Sequence, residues 1–242
     1  MDYEQALSNI SFYKIHPELK PFIGKEYEAY QILIVGESHY LDKKSDGQKY
    51  SLDYFATHWW DGNCKELEEN KDAYDTRGVI KWYLEGYRGR WSSIFTNVVK
   101  SFSKIVLNQS IDYINIEESQ KFNYFSFMNF FQMPSIIEGK SFWNSLYENY
   151  PKEEADALWK KTSEVSSSVL DSVIEIIKPK LIIFVSTSAY DAYCNSNAKH
   201  KYDKNVVHVC HPGCAWWYRK KKNGKCGKDD FEDILKQFIS NS

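Results

Sequence analysis

The chain has 242 residues, of which 43% are hydrophobic and 17% aromatic, and its formal net charge at pH 7 is −2. That length is enough for one large domain with its own core, and the near-neutral charge excludes a broad basic surface, so any contact with nucleic acid has to be local. No apolar run approaches the roughly 18 residues of a membrane span, no basic-then-apolar leader opens the chain, and five cysteines without a disulfide spacing point to a reducing, cytoplasmic setting.

In chain order, the first expected strand is Gln31-Ile32-Leu33-Ile34-Val35, an almost unbroken apolar run that ends in Gly36-Glu37-Ser38-His39-Tyr40. A long segment follows, with His58 beside Trp59-Trp60-Asp61, then Arg88 and Arg90 in a glycine-containing run. An insertion of that length after a first strand reads as a lid over a pocket or as a plain surface loop. Residues 91–107 put Ile94, Val98, Phe102, Ile105 and Val106 on one helical face. The second strand spans Tyr124 to Phe131, carries Asn129 and runs into Gln132-Met133-Pro134-Ser135. Residues 153–177 predict a helix with Leu158, Val165, Val169, Leu170, Val173, Ile174 and Ile177 facing inward and Pro179 as its stop. The third strand, Leu181 to Val185, meets Ser186-Thr187-Ser188 and a helix over 187–195. The fourth, Val206 to Cys210, meets His211-Pro212-Gly213-Cys214-Ala215-Trp216-Trp217, and a last helix is expected over 229–240.

Apolar strands alternating with helices predict an α/β fold: three α/β/α layers around a four-stranded parallel sheet, in a single domain over 1–242. Ligands of such sheets bind outside the carboxyl ends of the strands. Here those ends carry polar, small and aromatic residues in place of apolar ones. The plainer reading of Gly36-Glu37-Ser38 is a helix start, with Ser38 as cap and Glu37 at the positive end of the dipole.

The order ILIVGESHY, an Asn-bearing strand followed by Pro, IKPKLIIFVSTSAYDAY and VVHVCHPG resembles the uracil-DNA glycosylase superfamily over roughly residues 31–217. The resemblance implies that family's four-stranded parallel sheet and a pocket for a flipped or free nucleobase in DNA. It matches Gly36 and Glu37 to the loop that holds the attacking water, and Tyr40 to the ring that walls the pocket. Asn129 matches the residue that reads the base edge, and His211 the donor to the departing base. Ser38, Pro212 and Gly213 complete the two motifs. Asn97 is a second match for the base-reading Asn, ranked lower because it lies on a helical pattern. Two departures stand out: Ser38 where enzymes with an acidic first motif have Asp, and Gly213 where the last motif has Ser. Water activation would then fall to His39 or Glu37, or to neither.

Trp216, Trp217, Arg219, Lys220 and Lys221 make an aromatic and basic run that fits stacking and phosphate contact. In the family this loop wedges into the duplex. The plainer reading is a solvated basic turn with Asn223-Gly224 at its tip. Cys210, Cys214 and Cys226 bracket the same region, and a cluster would need Cys64 as fourth ligand. Their spacing does not fit a zinc pair, so neither metal nor cofactor is expected. Two other classes stay open: a catalytically silent nucleobase-binding relative, and a Glu/His hydrolase, since Gly-Glu-Ser-His also resembles the loop of erythromycin-esterase-like proteins.

Overall fold

The computed structural model describes residues 2–41, 58–62, 71–135 and 140–241. Among them, five strands form one sheet: β1 (Phe22–Ile23), β2 (Ile32–Gly36), β3 (Phe125–Asn129), β4 (Leu181–Phe184) and β5 (Val206–His208), in the order β1-β3-β2-β4-β5. β3, β2, β4 and β5 run parallel, and β1 lies antiparallel along the outer edge of β3. The fold is mixed α/β, but the sheet has five strands where four were expected. The extra strand is two residues long and sits between Pro21 and Gly24, so it carries no readable period. It forms because Phe22 and Ile23 meet the open edge of β3 opposite Phe127 and Ser126.

Eight helices bear on the site: α1 (Tyr3–Ser8), α2 (Ser11–Ile15), α3 (Thr76–Leu84), α4 (Ser93–Ile105), α5 (Phe142–Tyr147), α6 (Lys152–Ile177), α7 (Thr187–Asn195) and α8 (Gly227–Ser240). Every residue of β2 is buried. Successive side chains point to opposite faces of a strand. Leu33 and Val35 therefore join the apolar layer under α1, α2, α5, α6 and α7, while Ile32 and Ile34 join the one under α3, α4 and α8. Covered on both faces, β2 has no use for a polar residue, which is why it reads as a continuous apolar run.

Helix α6 starts after Pro151 with Glu153 and Glu154 in its first turn, where the helix dipole favours acids. It ends at Lys178, whose φ of 49° is a left-handed cap just before Pro179. Its expected stripe is buried except for Val165, which is half-buried. In α4 the buried face is Phe95, Val98, Val99 and Phe102, one position round from the face expected from Ile94, Ile105 and Val106. Phe95 decides this: it packs edge-on against Phe122 and Phe127, 5.0 and 5.2 Å away between ring centres.

The connection from β2 to β3 runs through α3 and α4 on one face of the sheet. The connection from β3 to β4 runs through α5 and α6 on the other, and crosses β2. The chain thus changes direction between β2 and β4. Ligands of open α/β sheets bind at such a switch point, outside the carboxyl ends of the strands.

Candidate functional site at the strand ends

Glu37 is the first residue beyond β2, at that switch point. One carboxylate oxygen accepts from the Phe142 backbone N–H at the start of α5, at 2.7 Å. The other accepts from the Ser186 hydroxyl, at 2.8 Å. Ser186 also caps α7 by accepting from the Ala189 N–H. Burial raises the carboxyl pKa above its ordinary value, and these two donors pull the other way. Glu37 therefore ties the β2 loop to α5 and α7, and no helix starts at Ser38. Glu37→Ala is expected to cost about 1–3 kcal/mol, because two donors lose their acceptor in a buried site. Glu37→Gln keeps an acceptor and buries no charge, so it should stay within about 1 kcal/mol of the parent. Urea denaturation of the two variants checks both.

Asn129 ends β3 directly opposite Gly36. A Cβ on residue 36 would lie 2.2 Å from Asn129 Oδ1, a distance no side chain tolerates. Gly36 is thus what lets the Asn129 amide lie across the end of β2. That amide makes no hydrogen bond among the described residues; such a side chain offers one acceptor and two donor hydrogens. Behind it, Gln132 donates to the Asn129 carbonyl at 2.7 Å. Gly36→Ala should displace the amide and destabilise the fold by about 1–3 kcal/mol. Thermal melts and nucleobase titration of that variant measure the two effects separately.

His211 lies past the end of β5 on the same carboxyl edge of the sheet. The Gly213 N–H donates to its Nδ1 at 3.0 Å. Burial lowers its pKa, so the ring is neutral at pH 7. With Nδ1 accepting, the single ring proton sits on Nε2, which is left as a donor. The turn is fixed from α4. Asn97 donates from Nδ2 to the Pro212 carbonyl at 2.8 Å, and its Oδ1 accepts from the Tyr218 hydroxyl at 2.6 Å. Both polar ends of Asn97 are thereby used, which makes it a brace for the loop, whereas Asn129 keeps its amide open. A Cβ on residue 213 would come within 2.6 Å of Ser93 Oγ, so the Ser93 hydroxyl fills that space.

The remaining site residues divide. His39 is buried, its Nε2 is hydrogen-bonded to Thr76 Oγ1 at 2.8 Å, and burial drives its pKa down to about 4 against a partial offset from Glu18. Glu37 and His39 thus address different elements. The Ser38 hydroxyl is buried with no partner among the described residues. Tyr40 is half-buried and pairs with Ser135 in an isolated parallel bridge. Trp217 requires a correction: it is fully buried and packs on Phe231 in the core, so it cannot face a ligand, whereas Trp216 is exposed with Arg219 over its ring at 5.4 Å. The short helical turn over Ala215–Trp217 turns the two indoles to opposite sides. Lys221 is also less available than expected, since Asp230 of α8 pairs with it at 2.8 Å.

Burial and the repulsion of the neighbouring Cys214 sulfur push the Cys210 thiol up to about 12. Cys64 and the Arg90 side chain lie outside the described residues. Among those described, no group of three or more His, Cys, Asp or Glu could hold a metal ion, and no helix is long and apolar enough to cross a membrane. His58 lies 3.8 Å from Asp61. Arg88 donates to the Tyr83 and Tyr87 carbonyls, which uses it in closing its own turn. Sequence reasoning singled out the Ser186 strand end but gave it no partner. It missed Phe142, Thr76 and Ser93, which reach the site from distant helices.

No protein-family model matches the chain, and no curated protein matches it.

Proposed function

We propose that the chain is a uracil-DNA glycosylase-like enzyme that binds an unstacked nucleobase at the strand ends and hydrolyses the N-glycosidic bond joining it to DNA. The observation that carries this reading is the Gly213 N–H donated to His211 Nδ1, which in the neutral ring leaves Nε2 as the donor. When the C–N bond breaks, the electron pair leaves with the base and negative charge collects on a carbonyl oxygen of the base. A neutral N–H donor stabilises that charge. Water then adds to the sugar carbon, and its proton ends on the departed base. Asn129 offers the amide that reads the base edge. The loop has no strong base, and an oxocarbenium-like transition state needs little from one, since electrostatic support carries most of it.

Further support comes from the motif positions, which all fall at carboxyl ends of parallel strands, and from Ser93, whose hydroxyl stands close to where the family's last motif carries a serine. Two observations favour a second reading, binding without turnover: both Glu37 oxygens are engaged, and Ser38 stands in the place of an Asp. The test is incubation with strands containing uracil, hypoxanthine or alkylated bases, followed by alkaline cleavage at abasic sites. Scission with one lesion, absent in His211→Ala, supports the enzyme. Binding that depends on Asn129, with no scission for any lesion, leaves the second reading.

A further inference from the structure

We propose that His16 is a positioning residue: held as a buried imidazolium between Glu18 and the Trp59 carbonyl, it fixes the carboxyl end of β3 and so the direction in which Asn129 presents its amide. The use of that amide rests on the nucleobase-pocket reading; the charge on His16 does not. His16 ends α2 and is 3% exposed. Its ring lies flat on the Trp59 indole, with 4.0 Å between centres and 15° between planes. Nε2 lies 2.7 Å from the Trp59 backbone carbonyl, and Nδ1 lies 3.0 Å from Glu18 Oε1. A neutral imidazole has one N–H and one lone pair. A carbonyl oxygen only accepts, so Nε2 carries a proton. Burial works to raise the Glu18 pKa, but hydrogen bonds from His16 and from the Glu18 backbone, with the charges of His16 and Lys71, outweigh it and hold the group as a carboxylate. A carboxylate also only accepts, so Nδ1 carries the second proton. The opposite charges offset the cost of burying each other, and the face of an indole favours a cation. Two other titratable groups bear on the pair. Lys71 lies 3.5 Å from Glu18 Oε2, and His39, which feels the Glu18 charge from the loop after β2, is neutral at pH 7.

Trp59 carries this anchor to β3. Its indole N–H donates to the Gln132 carbonyl at 2.8 Å, and the Gln132 N–H donates to the Ser166 hydroxyl of α6 at 2.9 Å. The Gln132 side chain then donates to the Asn129 carbonyl at 2.7 Å. In the same peptide unit, the Phe130 N–H donates to the Gly36 carbonyl at 3.0 Å. Both polar groups of the peptide that leaves Asn129 are thereby held, one by Gln132 and one by β2. The backbone angles of a residue restrict its side-chain rotamers, so where Gln132 stands governs where the Asn129 amide points. A charged donor binds a carbonyl about twice as strongly as a neutral one. The imidazolium is therefore a firmer hold on Trp59 than a neutral ring would be.

The experiment is NMR of the full chain with isotope-labelled histidine and asparagine. His16 should show protons on both ring nitrogens at neutral pH, and a ring with one bare nitrogen overturns the inference. Trp59→Phe keeps a ring face for His16 and removes the N–H on Gln132. His16→Phe removes both hydrogen bonds of the imidazole. In each, the Asn129 amide signals should shift while those of Asn97, on α4, stay in place. Signals that stay at Asn129, or that move at both asparagines, overturn the positioning role. Far-UV circular dichroism establishes that the variants are folded, and Trp59→Phe decides alone if His16→Phe, which strands Glu18 in the interior, does not fold. Glu18→Gln is the rescue. Its amide can donate to Nδ1, so the ring should drop to one proton, on Nε2, and the Asn129 signals should match the parent; a ring that keeps both protons overturns the ion pair. Anisotropy of oligonucleotides carrying uracil or cytosine at one position reads base preference, which Trp59→Phe should cut about ten-fold, the scale of one misdirected hydrogen bond. If the parent prefers neither base while the Asn129 signals respond as expected, the positioning role stands and the pocket falls. If the parent prefers a base and Asn129→Ala abolishes the preference, yet Trp59→Phe leaves signals and preference unchanged, the pocket stands and the positioning role falls.

Discussion

Replacing His211 by alanine is expected to slow base release by about 10²–10³-fold, the loss typical of removing one donor that stabilises a developing oxyanion. The substitution removes a half-buried ring and the acceptor of the Gly213 N–H. The turn around it remains braced by Asn97 on the Pro212 carbonyl and by the Cys214 N–H on the His211 carbonyl, so the fold should persist. Rate and binding therefore separate: the rate falls while affinity for the oligonucleotide changes little. Because burial lowers the His211 pKa, the ring stays neutral below the ordinary histidine value of about 6.5. The rate should accordingly hold as pH falls through that value. A decline centred near 6.5 would mean that the ring titrates like an exposed one and that its proton is not confined to Nε2.

The second large effect is on stability in acid, and it comes from His39. In the folded chain its pKa is about 4, because the ring is buried against Thr76. In the unfolded chain it is about 6.5. Above pH 6.5 the ring is neutral in both states and contributes no dependence. Between 6.5 and 4 the unfolded chain binds the proton and the folded one does not, so stability falls as pH falls, by about 3 kcal/mol across the window. Glu37 has the opposite sign, since a carboxyl pKa raised in the folded state makes the folded chain the better proton acceptor. Urea unfolding free energies at a series of pH values, for the parent and for His39→Gln, isolate the histidine. The variant should lose most of the decline between 6.5 and 4, and an unchanged slope would assign the decline to other groups.

The sequence by itself determined where the parallel strands lie and what stands at their ends. Ile32 to Val35 and Leu181 to Phe184 read as strands because a strand covered on both faces is apolar at every position, a purely local signal. The break in that pattern at Gly36-Glu37 and at Ser186, together with the polar His211-Pro212 turn, marked the candidate site for the same reason. The helix over 153–177 was legible from its spacing and from its stop at Pro179. Tertiary structure alone decided what each polar side chain does. Glu37 meets partners 105 and 149 residues away. Which partners it meets depends on the route of the crossovers over the sheet, which no local pattern records. Trp216 and Trp217 are identical in type and adjacent, yet one is exposed and the other is core, because a single helical turn rotates them apart. Lys221 is basic in the sequence and paired in the fold, because α8 returns its acids along the same loop. Gly36 and Asn129 show both halves together: each could be singled out at its strand end from the sequence, but only the register of β2 on β3 makes the absence of a Cβ at one the condition for an open amide at the other.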